Sequence, residues 1–219
     1  MLAVLYASIL LPVREVKHQK TSPSILPKST SFVAKISGLA VVDGFGTSLV
    51  APLLSYWFVI TYNVPLTVIG TLFFVANLIS AAFYLLGPKV AAKIGVVRAI
   101  VWLHVPSDIL LIIQPLAPNF AIAAVIHLLR ATTSIVDIPL RQSFIMGVAS
   151  PEERASVGGF SAFARNISSS GSPAVSGYTI QAVSSAIPFF LSGAFQLAND
   201  LAFYYLFRNT KPPEEAVSP

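Results

Sequence analysis

Arg130, Asp137 and Arg141 sit inside one of the most apolar stretches of the chain, "HLLRATTSIVDIPLRQSFIMGV". At about 100° per residue they fall within roughly 40° of one another on a continuous helix, which makes them one charged stripe. Charges at bilayer depth cost about 2.5 to 3.5 kcal/mol each on insertion scales, so such a stripe faces a cavity or a partner rather than lipid. The rise per residue puts Arg130 about 15 Å into its segment, near a bilayer midplane, with Asp137 about 10 Å nearer one end. Asp137 and Arg141, at i and i+4, can pair on one helix. Asp43 and Arg165 lie at a comparable depth in their own segments. The five are therefore candidates for a solute path: Arg130 for substrate contact or gating, and Asp43, Asp137, Arg141 and Arg165 for an ion network at its mouth. His104 with Asp108, also i and i+4, and Asp200 read as structural pairing groups away from that path.

The elements that must hold these charges are membrane helices. The chain has 219 residues, 55% of them hydrophobic and 11% charged, with a mean hydropathy of +0.76. A soluble domain carries about 25% charge. Six apolar stretches, at 36–61, 66–86, 97–115, 119–146, 155–181 and 184–207, are each long enough to cross a hydrocarbon core, which takes about 20 helical residues. Each is expected to be a helix, because a lipid-spanning backbone must satisfy its own hydrogen bonds. The predicted fold is all-α, a polytopic bundle of six transmembrane helices.

Charge in the loops sets the expected orientation. The links "TYNVP", "PLAPN" and "VSSAIP" carry none, whereas "GPKVAAKIGVVR", Arg154, Arg208 and Lys211 lie on the opposite side. By the positive-inside rule both ends of the unit at 36–207 are cytoplasmic. Residues 13–35 read as a basic cytoplasmic linker and 208–219 as a cytoplasmic tail, while 1–12, at about 18 Å as a helix, read as the end of a missing span. The net charge of +5 is spread over alternate loops, which is topology and no nucleic-acid face. With no cysteine and with His18, His104 and His127 scattered, no metal or cofactor is expected.

Four segments in this order resemble the C-terminal half of the major facilitator superfamily of secondary transporters. "VDGFGTSLVAPLLSYWF", with Asp43, Gly44, Gly46 and Pro52, is similar to the opening helix of a half. "PKVAAKIGVVR" resembles the family's cytoplasmic loop, with Ala91, Lys93, Gly95 and Arg98 matching. "LLRATTSIVDIPLRQSFIMGVASPEERASVGG" resembles the fourth helix of a half, with Arg130 at the position of its buried arginine. "ARNISSSGSPAVSGY" resembles the fifth, where Gly171, Pro173 and Gly177 fit a helix bend with close packing.

The resemblance implies solute transport by alternating access, in a multi-pass protein of the cell membrane. Half of a path would need a second six-helix half, or a homodimer, to enclose a small-molecule substrate within the lipid bilayer. The alternative is a truncated, non-transporting remnant or regulatory membrane subunit. An enzyme is not expected, since the three His supply no converging base or metal ligands, and ATP-driven pumping is not expected, since no phosphate-binding loop of the form G-x-x-x-x-G-K-[ST] occurs.

Overall fold

The computed structural model describes residues 29–210, and among these every regular element is helical. The readings of 1–28 and 211–219 lie outside the described residues. In chain order the helices are α1 (Thr30–Val50), α2 (Leu54–Tyr62), α3 (Leu66–Tyr84), α4 (Gly87–Ile94), α5 (Val96–Ile113), α6 (Phe120–Thr133), α7 (Asp137–Val148), α8 (Arg154–Ala182) and α9 (Ile187–Phe207). α1 starts at Thr30, so residues 30–35 of the expected linker form its first turns.

Local chemistry explains the punctuation. Pro52 has no N–H to continue the helix, and α1 passes into α2 through a 3₁₀ turn at Ala51–Leu53. Asn63 ends α2 in the left-handed conformation, at φ 52°. The side chain of Asn119 accepts from the N–H of Ile122 at 3.0 Å and caps α6. Pro139 crowds the carbonyl of the residue four before it, and the chain leaves the helix between Thr133 and Asp137. Glu153 accepts from Ser150 Oγ at 3.0 Å and also from Ser29 N and Oγ at 2.9 and 2.7 Å, which ties the start of α1 to the start of α8.

Four segments are long and apolar enough to cross a membrane: Thr30–Tyr62, Leu66–Tyr84, Val96–Leu116 and Phe120–Val148. α8 and α9, at 29 and 21 residues, have the length but are more polar. The difference comes from the serines of α8 and from Gln196, Asn199 and Asp200 on α9. Many of these polar side chains are turned inward: Ser172, Ser176, Ser192 and Asp200 are fully buried, and Gln196 and Asn199 nearly so. Several donate to the backbone of the first segment. Ser176 Oγ reaches Leu49 O at 2.5 Å, Ser169 Oγ reaches Gly44 O at 3.1 Å and Ser192 Oγ reaches Gly46 O at 2.6 Å. Outward-facing positions carry Phe163, Ile167, Tyr178, Leu201 and Tyr205.

Two glycines let these helices meet. A Cβ on Gly44 would stand 2.6 Å from the carbonyl of Arg165, and one on Gly46 would stand 3.0 Å from Phe195 Cβ. Close packing expected of Gly171 and Gly177 is not found, since a Cβ at either meets nothing within 4 Å. α8 itself runs unbroken through Pro173.

The most extensive packings join the first long segment to α8 and α9, α5 to α9, α3 to α6, and the Phe120–Val148 segment to α5. Numbered one to six, the pairs are 1–5, 1–6, 3–6, 2–4 and 3–4. Exchanging each segment n with n+3 maps this set onto itself. The bundle is thus two three-helix units packed alike, each opening with a broken segment.

Its apolar core lies in two layers. Trp57, Phe58, Ile69, Leu111 and Phe189 fill one end, in edge-to-face and tilted ring contacts that include a Trp57–Phe189 separation of 4.5 Å. Ile36, Val97, Ile100, Leu140, Phe144, Phe203 and Phe207 fill the other.

Candidate functional site

A cavity of about 890 Å³ opens between these layers, lined from every long segment. All five charged candidates line it: Asp43, Arg130, Asp137, Arg141 and Arg165. His104 and His127 do so as well, together with Asn77, Ser80, Ser134 and Gln196. The break before Asp137 interrupts the single helical stripe expected from Arg130 to Arg141, yet both halves of the broken segment aim their charges at the same space.

Two ion-pair groups form on the wall. Arg165 Nη1 on α8 donates to Asp43 Oδ2 on α1, with 48% of the arginine side chain exposed. The second group is larger than the sequence suggested. Arg141 Nη2 lies 3.2 Å from Asp137 Oδ2, the expected i, i+4 pair, and 3.1 Å from Asp200 Oδ1 on α9. Asp200 Oδ2 in turn lies 2.8 Å from His104 Nδ1 on α5, and the same nitrogen lies 3.4 Å from Asp108 Oδ1. In the tautomer that carries its proton on Nδ1, His104 donates to the Asp200 carboxylate. The residues read as separate structural pairs therefore belong to one chain of contacts, Asp137–Arg141–Asp200–His104–Asp108. The face of Phe203 covers the Arg141 guanidinium, 4.9 Å from the ring centroid.

Arg130 differs from both groups. Among the described residues no carboxylate lies within ion-pair distance of it, and its buried Nε has no hydrogen-bond partner. Also on the cavity wall are Ser80, whose hydroxyl is committed to Ala131 O at 2.7 Å, and His127, whose ring is tilted against that of Phe73 at a centroid separation of 5.3 Å. Among the aromatic residues of the first two segments, Trp57 is buried in the core, Phe73 lines the cavity, and Tyr56, Phe74 and Tyr84 are exposed.

The loop candidates lie on α4 and at the start of α5, away from the cavity. Ala91 is buried in the core, Lys93 and Arg98 are exposed, and Gly95 links the two helices at φ 87°. A Cβ is strained at that φ, which accounts for the glycine.

The chain matches no family model. It is 28% identical over 153 residues to the Uncharacterized membrane protein YJR124C of Saccharomyces cerevisiae. The match covers 67% of this chain and 34% of the yeast protein, so the chain aligns with about a third of its relative's length. Apolar helices and a relative of this kind agree: this is a membrane protein, helical throughout the regular elements of its described residues.

Proposed function

We propose that the chain is the six-span half of a secondary transporter of the major facilitator type, moving a solute by alternating access along the wall just described. One observation carries the reading. A cavity of about 890 Å³ collects charges from both three-helix units, and one of them, Arg130, has no ion-pair partner among the described residues. A free guanidinium at mid-depth suits a solute bearing an anionic group, since an unpaired buried charge otherwise only costs stability.

The packing supports the reading further. Units related by exchange of segments n and n+3 run in opposite directions when all six cross, which is the inverted repeat of many secondary transporters. The broken first segment of each unit supplies the discontinuous helix that such sites use. α8 and α9 then cross as the fifth and sixth spans, their polar groups turned to neighbouring helices. The other wall comes from a second six-helix half or a second copy, with both ends of the unit cytoplasmic. That the match covers only a third of the yeast relative leaves room there for another half.

The chain has no cysteine, so single cysteines report access without background. With Ala40→Cys or Ser134→Cys on the cavity wall, a membrane-impermeant maleimide should label the chain from either side of the membrane, at different rates. Labelling from one side alone would sink alternating access and favour the non-transporting subunit.

A further inference from the structure

We propose that His104, Asp108 and Asp200 form a binding site for one divalent transition-metal cation, of the zinc or manganese class. His104 Nδ1 stands 3.4 Å from Asp108 Oδ1 and 2.8 Å from Asp200 Oδ2, and one ligand atom from each of the three residues lies within 4.8 Å of the others. Ligands about 2.0 to 2.2 Å from a common ion are about 3 to 3.5 Å apart, so the three need small side-chain movements to converge on a metal. An imidazole with two carboxylates is a donor set that such ions accept.

A second observation points to a cation independently. Asp108 is fully buried, and among the described residues its carboxylate has no partner besides His104 Nδ1, 3.4 Å away, at a separation and angle short of a good hydrogen bond. Ser107 Oγ and Asn199 Oδ1, next in sequence to two of the three residues, are likewise buried and without hydrogen-bond partners among the described residues. The charge balance agrees. The contact chain holds three carboxylates, Asp108, Asp137 and Asp200, against one guanidinium, Arg141. A proton on His104 offsets one of the two excess negative charges, and a divalent cation offsets both. Arg130 on α6 attracts Asp108 from beyond ion-pair range and offsets part of that excess, which a cation at the site must work against.

Binding exchanges the Nδ1 proton, released to the cavity that His104 lines, for the metal at the same lone pair. Arg141, held between Asp137 Oδ2 and Asp200 Oδ1, fixes the orientation of the Asp200 carboxylate. The site does not rest on the transport reading and stands whether or not the cavity carries a solute.

The test titrates Co²⁺ into the purified full chain in detergent micelles, with His18→Ala removing a histidine outside the site. One Co²⁺ per chain with visible ligand-field bands is expected. Asp108→Asn and His104→Gln should each weaken binding at least a hundredfold while leaving the helical circular-dichroism signal intact. Binding that is unchanged by Asp108→Asn, or no tighter than in His104→Gln, overturns the site. Should either variant fail to fold, the unsubstituted chain decides: its thermal midpoint must rise with Co²⁺ but not with the same concentration of Mg²⁺, and equal midpoints overturn the proposal.

Discussion

Each charged side chain on the cavity wall is held differently, and the difference predicts separable effects. Arg141 is gripped by two carboxylates, one of them fully buried. Asp200→Asn leaves that guanidinium and His104 short of a partner, and should cost about 3 kcal/mol, seen as a lower thermal midpoint in detergent. The Asp43–Arg165 pair sits at the cavity edge with half of the arginine exposed, so Asp43→Asn should cost less than about 1 kcal/mol. If that pair is a gate, the same substitution changes the ratio of maleimide labelling rates from the two sides at Ala40→Cys; an unchanged ratio removes the gate. Among the described residues Arg130 has no ion pair to lose. Arg130→Met should therefore leave the midpoint unchanged or raise it, and anionic solutes that stabilise the unsubstituted chain should no longer do so. His104 and Asp200 are 96 positions apart and Arg141 and Asp200 are 59 apart, so nothing in the sequence spacing joined them. The i, i+4 pairs were readable because both partners lie on one helix.

The contacts of the first segment with α8 and α9 rest on Gly44 and Gly46 and on the serines that face it. Gly44→Val puts a branched side chain where even a Cβ would stand 2.6 Å from the Arg165 carbonyl. It should lower stability by about 1 to 3 kcal/mol through overpacking. Gly171→Ala meets nothing within 4 Å and should be neutral or raise stability by up to about 1 kcal/mol, because alanine is the better helix former. A melting comparison of the two variants separates packing glycines from permissive ones. Sequence resemblance pointed to both sets alike, since a glycine's spacing says nothing about which helix passes beside it. The same serines and amides make α8 and α9 less apolar than the other long segments, although buried polar groups between helices are compatible with crossing. Six crossings put Ser184 on the face opposite Lys89 and Arg208. Impermeant labelling of Ser184→Cys from outside, and of Lys89→Cys and Arg208→Cys only after permeabilisation, checks this. Finding all three on one side would leave four spans.

At the scale of the molecule, a broad apolar exterior carrying Leu66, Phe74, Leu78, Trp102 and Leu116 surrounds a polar cavity. The positions of the long helices, to within several residues, and the asymmetry of loop charge were legible in the sequence, whereas the breaks at Pro52 and before Pro139 were not. Hydropathy, helix period and turn chemistry are local properties, written within a few residues of where they act. Tertiary structure decided which faces met. The exchange symmetry of the two three-helix units, the burial of the α8 and α9 polar groups, and the joining of His104, Asp108 and Asp200 to Arg141 and Asp137 all depend on side chains from different helices reaching one depth and one azimuth. Packing of whole surfaces sets those two coordinates, and spacing along the chain does not encode them.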